Sequence, residues 1–295
     1  MQTKSWTGIT GGGNWGQKCL IVLFCFIHVA MGYAALIPIV PFYMFFARRR
    51  FLAIYRYFRK QWGFSPFKSF CKTYMNHFIF GQCMLDRFAV YAGKYRFFKI
   101  KFTGNDAFLH LLDKQKGFII AGAHVGNFEI SGYMLRQNKK RINALIFGGE
   151  SEEIIKQRLK TFGRNNIALL TTFDDISHIF AINEAFSKGE IVCMTCDRNV
   201  GSAKSVTCNF LNGKVDFPQG AFVLATHFDV PIVTVFVMKE THTVYHVYVK
   251  ILTCDAVNRQ EKIKQLSTLY ANELGKVVQL YPEQWFNFYE FWNRI

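Results

Sequence analysis

Two side chains that can perform acid–base chemistry follow an apolar run near the middle of the chain. His124 lies three residues beyond Phe118–Ala121, and Glu129 lies five residues further on. The apolar run predicts a buried strand, Gly126 interrupts it, and Asn127 is a favourable first residue for a following helix. We therefore expect His124 on a turn and Glu129 in the first helical turn, where the two side chains can meet. A histidine oriented by a carboxylate is a general-base unit.

The same spacing has a simpler interpretation. A histidine at the end of a strand and a glutamate attracted by a helix dipole would lie equally far apart without doing any chemistry. The strand–turn–helix setting and the two glycines, Gly122 and Gly126, favour the catalytic interpretation.

The elements around this turn alternate between strand and helix patterns. Apolar runs predict strands at 118–121, 143–147, 167–170, 191–194, 232–238 and 243–251, the last antiparallel to the one before it. Helical spacing predicts helices at 151–162, 175–187, 219–227 and 261–281. This alternation predicts an α/β fold, with a largely parallel sheet flanked by helices.

The N-terminal part of the chain has the pattern of a membrane anchor. Cys19–Ala47 is apolar and would form a helix about 40 Å long, enough to cross a bilayer with tilt. A buried helix of a soluble protein is the alternative. Arg48–Arg50 follows at once, which predicts a cytoplasmic flank, and residues 51–98 mix aromatic and basic residues as interfacial helices do. The pattern divides the chain into an anchor at 1–50 and a catalytic domain at 51–295.

Composition limits the partners of the protein. The 295 residues carry a formal charge of +16, which favours anionic partners: nucleic acid, anionic lipid headgroups or an acidic protein. Because 51% of the residues are hydrophobic, the chain can fill a large core and still expose apolar surface. Cys193 and Cys196 form a lone CxxC within an apolar run, which favours a core strand over a zinc site. The sequence has neither a GxGxxG fingerprint nor a P-loop, so it offers no support for nucleotide chemistry, and we expect no metal and no cofactor.

Five motifs in a fixed order resemble one known family. They are Gly122–Glu129, Cys196-Asp197-Arg198, the stretch from Phe210 through Gly213, Pro218 and Gly220 to Ala225, Val230-Pro231, and Tyr281–Trp285. Together they are similar to the bacterial lipid A biosynthesis acyltransferases, the late acyltransferases that use acyl carrier protein thioesters, within the lysophospholipid acyltransferase-like superfamily. The resemblance covers nearly the whole chain.

The resemblance implies a membrane-anchored acyltransferase on the cytoplasmic face of the inner membrane. The acyl donor would be an acyl carrier protein, and the acceptor would be a hydroxyl or amine of a lipid A-type glycolipid precursor. His124 would be the general base and Glu129 its orienting partner, and no covalent acyl-enzyme would be needed. Nucleic acid is not an expected partner.

The remaining candidate residues would bind substrate. Backbone N–H groups near Gly126 and Asn127 are candidate donors to the oxyanion of the tetrahedral intermediate. Asp197 and Arg198 complete the substrate site, with Arg198 contacting a phosphate or the pantetheine arm, or else forming a structural ion pair with Asp197. Two further arginines, Arg158 and Arg164, could hold an anionic headgroup or be ordinary exposed helix residues.

The chain departs from the family pattern after Trp285. Aromatic residues occupy 286–292, where the family usually carries a basic patch. This leaves another glycolipid, an aminoacyl lipid or a polyene-type lipid as alternative acceptors. A non-catalytic basic protein that binds membranes or nucleic acid is an alternative of a different class.

Overall fold

A mixed β-sheet forms the centre of the protein. The computed structural model describes residues 28–128, 130, 139–147, 166–172, 177–199 and 204–292. Within them, seven strands are ordered β1-β9-β8-β2-β5-β3-β4, and β6 and β7 form a separate hairpin. The strands are β1 Lys99–Thr103, β2 Phe118–Gly122, β3 Ile142–Phe147, β4 Ile167–Thr172, β5 Ile191–Thr195, β6 Ser205–Phe210, β7 Gly213–Pro218, β8 Ile232–Lys239 and β9 Val244–Leu252.

The predicted fold class is confirmed by the strand directions. β8, β2, β5, β3 and β4 run parallel to one another, whereas β9 pairs with β8 in the antiparallel direction, as expected. β1 is parallel to β9. Neither β1 nor the β6–β7 hairpin was predicted from the sequence.

Helices cover both faces of the sheet. The predicted helices at 175–187, 219–227 and 261–281 are confirmed with small shifts at their ends, and the one predicted at 151–162 lies outside the described residues. The helices are α1 Val29–Phe46, α2 Arg48–Gln61, α3 Pro66–Tyr91, α4 Asn105–Asp113, α5 Ser177–Ser187, α6 Gly220–His227 and α7 Arg259–Leu280, with 3₁₀ turns at Lys94–Phe97 and Pro282–Gln284.

Alternate residues of each central strand enter different cores. In β2, Phe118 and Ile120 pack in a cluster with residues of α1, α3 and α4. Ile119 and Ala121 pack on the other face, in a cluster with residues of α2, α6, α7 and the hairpin. A parallel strand covered on both faces reads as a continuous apolar run, which explains why the sequence identified β2 so clearly.

One face of α1 belongs to the protein interior and the other is apolar and exposed. Its buried residues recur every three or four positions, so they form one stripe. Pro38 and Pro41 lie inside α1 and do not end it, and residues 19–27 of the predicted segment lie outside the described part. The helix has 18 residues, a mean hydropathy of 1.8 and only 28% of its residues buried, so its length and composition allow it to enter a membrane. The large exposed apolar side chains are Met31, Ile37, Ile39, Phe42, Tyr43, Phe45 and Phe46.

A buried ion pair joins the helical layer to the sheet. Lys239 Nζ at the end of β8 lies 2.5 Å from Asp86 Oδ2 on α3. Tyr33 of α1 and Tyr245 of β9 both donate hydrogen bonds to the same carboxylate. Four elements therefore meet at Asp86, and α1 packs against α3 and the sheet at this point. The division of the chain at residue 50 stays a prediction.

Substitution of the exposed face of α1 tests membrane association. The triple change Phe42→Ser, Phe45→Ser and Phe46→Ser should abolish co-flotation of the purified protein with phospholipid vesicles at high salt. Each buried phenylalanine contributes about 2 kcal/mol of transfer free energy, and this apolar term is not screened by ions. The melting temperature should not change, because all three side chains are exposed in the protein. A matched control changes the exposed Val257 and Leu280, which lie outside α1, to serine. Equal flotation of the triple variant and the control would contradict a membrane-facing α1.

Candidate active site

A histidine–aspartate pair lies at the carboxyl ends of two neighbouring parallel strands. Gly122 of β2 is paired with Thr195 of β5, and His124 and Asp197 each follow two residues later. His124 Nδ1 lies 2.7 Å from Asp197 Oδ1, and the backbone N–H of His124 donates to Asp197 Oδ2 at 3.0 Å. The Asp197 side chain is 1% exposed and that of His124 is 22% exposed. The strand register therefore produces a carboxylate-bound imidazole that reaches the surface.

The electrostatics of the pair keep Asp197 ionised. Burial by itself raises the pKa of this carboxyl group, but the imidazolium charge and hydrogen bonds of His124, together with the nearby Arg198 guanidinium, outweigh burial and hold the pKa at about 2. An ionised carboxylate only accepts hydrogen bonds, so Nδ1 of His124 carries the hydrogen. Among the residues that the structure describes, no side chain hydrogen-bonds to Nε2 of His124, so this atom can accept a proton from a substrate.

The turn that carries His124 is held from two sides. Gly126 has φ +54°, and a Cβ atom there would lie 2.0 Å from the carbonyl oxygen of Val237 in β8. The Gly126 N–H donates to Gln284 O at 2.8 Å, and the Asn127 N–H donates to Val237 O at 2.7 Å. Only glycine fits at position 126, because both the left-handed backbone and the contact with β8 exclude a side chain.

The hydrogen bonds of the turn give its backbone N–H groups a different use from the expected one. The backbone N–H groups of Gly126 and Asn127, which the sequence suggested as oxyanion donors, are already used within the protein. The side chain of Asn127 is buried and donates from Nδ2 to Cys83 O at 3.0 Å and to the Tyr245 hydroxyl at 3.1 Å. Both residues therefore stabilise the turn from inside, and a role of either in binding substrate stays a prediction.

Arg198 lies beside the pair and is held by the C-terminal segment. Its Nη2 donates to Phe286 O at 2.8 Å, and its guanidinium lies 5.8 Å from the ring centroid of Tyr289. Its Nε is buried without a hydrogen-bond partner in the described part of the chain. Arg198 contributes positive charge to the site, and no direct ion pair with Asp197 is found among the described residues.

Three predicted site residues lie outside the described residues. They are Glu129, Arg158 and Arg164, and their roles stay predictions. The structure instead brings Asp197, expected to bind substrate, to the position where a carboxylate orients His124. A sequence signal for this contact existed, because each residue lies three positions beyond an apolar run, Phe118–Ala121 or Ile191–Met194.

The C-terminal segment forms one wall of the site. Gln284 makes two side-chain hydrogen bonds to the backbone of Lys239, at 2.8 and 2.6 Å. Asn76 of α3 donates to Trp285 O at 3.0 Å, and Trp285 Nε1 lies 3.5 Å from Asp197 Oδ2. The spacing of residues along the sequence gives no signal for these contacts, because they join parts of the chain that are far apart.

The cysteines near the site are structural. Cys193 lies in β5 and Cys196 follows it, and neither forms a disulfide. Burial raises the pKa of the Cys193 thiol to about 12 and that of Cys196 well above its usual range. Both thiols are therefore protonated at neutral pH, which makes them poor nucleophiles.

Comparison with known proteins assigns the chain to a family. The sequence profile of the family described as bacterial lipid A biosynthesis acyltransferase matches residues 75–294, about three quarters of the chain and the part that contains the histidine–aspartate pair. The chain belongs to this family. It is therefore an acyltransferase that acts on lipid-type substrates.

Comparison with solved structures gives a distant similarity. One similar structure is that of the 1-acyl-sn-glycerophosphate acyltransferase of Thermotoga maritima, which is 14% identical in sequence to this chain. The two structures align with a TM-score of 0.40, over 89% of this chain and 98% of that one. No curated protein sequence matches the acyltransferase.

Asp197→Asn tests the histidine–aspartate pair of the acyltransferase. The variant should lower kcat on the order of 10²–10⁴-fold, because the amide is neutral and no longer stabilises a protonated His124. Acyl transfer at saturating donor measures this, with Asp255→Asn, an exposed carboxyl-to-amide change, as the control.

The acid stability of the same variant supplies a second measurement. A carboxyl group whose folded pKa is about 2, below its usual 3.8, stabilises the fold above about pH 4, and this contribution is lost as the pH falls toward 2. The wild-type free energy of unfolding should therefore decrease over this interval more steeply than that of Asp197→Asn. Identical pH profiles would contradict the low pKa.

Proposed function

We propose that the protein transfers a fatty acyl chain from an acyl carrier protein thioester to a hydroxyl, or an amine, of a lipid A-type glycolipid precursor. The observation that carries this proposal is the His124–Asp197 pair, with Nδ1 bound to a buried carboxylate and the ring partly exposed. Family membership supplies the reaction class.

The proposed mechanism uses His124 as the general base. Nε2 takes the proton from the acceptor hydroxyl while its oxygen attacks the thioester carbonyl carbon. The tetrahedral intermediate then collapses, the carbon–sulfur bond breaks, and the imidazolium returns the proton to the departing thiolate. Asp197 fixes the tautomer and stabilises the imidazolium, which is the role that the sequence analysis gave to Glu129. A contribution of Glu129 as a second carboxylate stays part of the proposal.

Positive charge near the pair supports an anionic or acidic donor. Arg198 lies next to Asp197, and its buried Nε lacks a partner among the described residues, which suits the phosphate of a pantetheine arm. Lys60 of α2 lines a small pocket together with Arg56, which is paired with Glu290, and with Trp285, the residue that touches Asp197. An acidic carrier protein would meet these cations beside the catalytic pair.

The arrangement of α1 and α2 supports a site at the cytoplasmic face of the inner membrane. α2 begins with Arg48–Arg50, all exposed, and a single residue separates it from the end of the apolar α1. Such a cationic flank favours the cytoplasmic side. An acceptor embedded in that membrane would approach the pair from the membrane surface. The aromatic residues at 286–292 keep other glycolipids, aminoacyl lipids and polyene-type lipids as alternative acceptors.

His124→Ala tests the general base. The variant should lose acyl transfer by on the order of 10²–10⁴-fold. Its melting temperature should fall, because the buried Asp197 carboxylate loses its partner, so turnover is measured at a temperature where the variant is fully folded. The assay incubates acyl carrier protein that carries a radiolabelled acyl chain with the purified protein and a membrane lipid extract. The labelled lipid is then identified by mass spectrometry. His227→Ala, a histidine change in α6, is the control. Wild-type turnover by the His124 variant would overturn the mechanism, and a labelled product other than a lipid A precursor would correct the acceptor.

A comparison of two donors tests the acyl carrier. The kcat/KM should be higher with acyl carrier protein than with a coenzyme A thioester of the same chain, and this preference should shrink as salt rises, because charge attraction is screened. Lys60→Gln should reduce the preference at low salt. Lys250→Gln removes the same charge from the part of β9 that pairs with the beginning of β8, away from the site, and should not. Donor binding beside α2 would be contradicted if the preference for the carrier-bound donor did not depend on salt, or if Lys60→Gln and Lys250→Gln had the same effect on it.

A further inference from the structure

A chain of hydrogen bonds leads from the buried ion pair to the turn that carries His124. Asp86 accepts from Lys239 and from the hydroxyl groups of Tyr33 and Tyr245. The Tyr245 hydroxyl oxygen in turn accepts from Nδ2 of Asn127 at 3.1 Å. All five side chains are buried. The mechanism proposed above uses none of them.

The direction of every bond in this chain is determined by Asp86. A carboxylate only accepts, so Tyr245 must donate its proton to it. Burial raises the pKa of Tyr245 well above its usual range, so this proton stays on the hydroxyl group. The Tyr245 oxygen is therefore the acceptor in its contact with Asn127, as it is toward Lys239 Nζ at 3.5 Å, and Nδ2 of Asn127 also donates to Cys83 O at 3.0 Å. The Asn127 amide thus has one orientation.

Asn127 is also fixed through its backbone. Its N–H donates to Val237 O in β8, two residues before Lys239, and Asn127 lies three residues after His124. Side chain and backbone therefore hold the same end of the turn. The other end is held by Asp197, which accepts from both the backbone and the ring of His124.

We propose that Tyr245 and Asn127 are positioning residues for His124, and that the buried Asp86–Lys239 pair sets the position of the catalytic turn through them. The proposal deepens the function given above, because it rests on His124 acting as the base. A shift of about 1 Å in a reacting group can lower a rate by on the order of 10²-fold. Residues that act only through position should change kcat and leave KM nearly unchanged.

Two tyrosines offer a matched comparison. Tyr33 and Tyr245 both donate to Asp86, but in the described structure only Tyr245 bonds to Asn127. Tyr245→Phe and Tyr33→Phe each remove one hydroxyl group and keep the ring. We expect kcat to fall by about tenfold to a hundredfold in Tyr245→Phe, with KM unchanged, and to stay near wild type in Tyr33→Phe. Asn127→Leu, which removes the donor at similar size and adds no charge, should lower kcat at least as much as Tyr245→Phe, because it also removes the bond to Cys83 O.

A measurement on His124 itself separates position from activity. In protein labelled with ¹⁵N-histidine, the proton shared by His124 and Asp197 should give a downfield resonance that disappears in Asp197→Asn. Tyr245→Phe should shift or broaden this resonance, and Tyr33→Phe should leave it unchanged. The double variant Tyr245→Phe with Asn127→Leu should lose little more activity than Asn127→Leu alone, because the Tyr245–Asn127 contact is already absent in the single variant.

The outcomes distinguish this inference from the proposed function. If kcat falls equally in Tyr245→Phe and Tyr33→Phe, and in proportion to the fall in melting temperature, the positioning role is overturned and His124 remains the base. An unchanged resonance and an unchanged kcat in Tyr245→Phe would do the same. An active His124→Ala variant would overturn the proposed function, while a perturbed resonance in Tyr245→Phe would still support the link from Asp86 to the turn.

Discussion

The burial of Asp86 and Lys239 is the interaction on which the arrangement of the helical layer depends. Removing two charges from water is unfavourable unless they are paired and their other hydrogen-bonding groups are satisfied. Asp86 meets this condition only when α1, α3, β8 and β9 come together, since each contributes one of the bonded side chains. An apolar core alone tolerates sliding of one element over another, whereas a buried ion pair fixes the relative position of the helices and the sheet.

The His124–Asp197 pair depends on a second constraint, the register of parallel strands. β2 and β5 are adjacent, so residues at equal distances beyond their last paired positions emerge side by side. His124 and Asp197 satisfy this condition, and Trp285 from the C-terminal segment closes the buried side of the carboxylate. In the acyltransferase, the buried Asp86–Lys239 pair sets the position of the turn, and the register of β2 and β5 brings the Asp197 carboxylate to it.

Much of the fold could be predicted from the sequence, because the central strands are buried on both faces and appear as apolar runs. β1 was missed because Lys99 and Lys101 lie in a mostly exposed strand at the edge of the sheet, which lacks such a run. His124 could be identified from local spacing. Its contact with Asp197 required the strand order, and the role of Asn127 required the distant Tyr245, so local patterns could not reveal either.

The participation of α1 in the core has a consequence for the synthesis of the protein. Tyr33 precedes its partner Lys239 by 206 residues, and Asp86 precedes it by 153. At about 5–20 residues per second, a nascent chain carries Asp86 without its cation for on the order of ten seconds. During that time the apolar exposed face of α1 is already made, but the domain cannot close. Folding of the domain therefore waits for the synthesis of β8, and a chain released before β8 is made has no native state available to it.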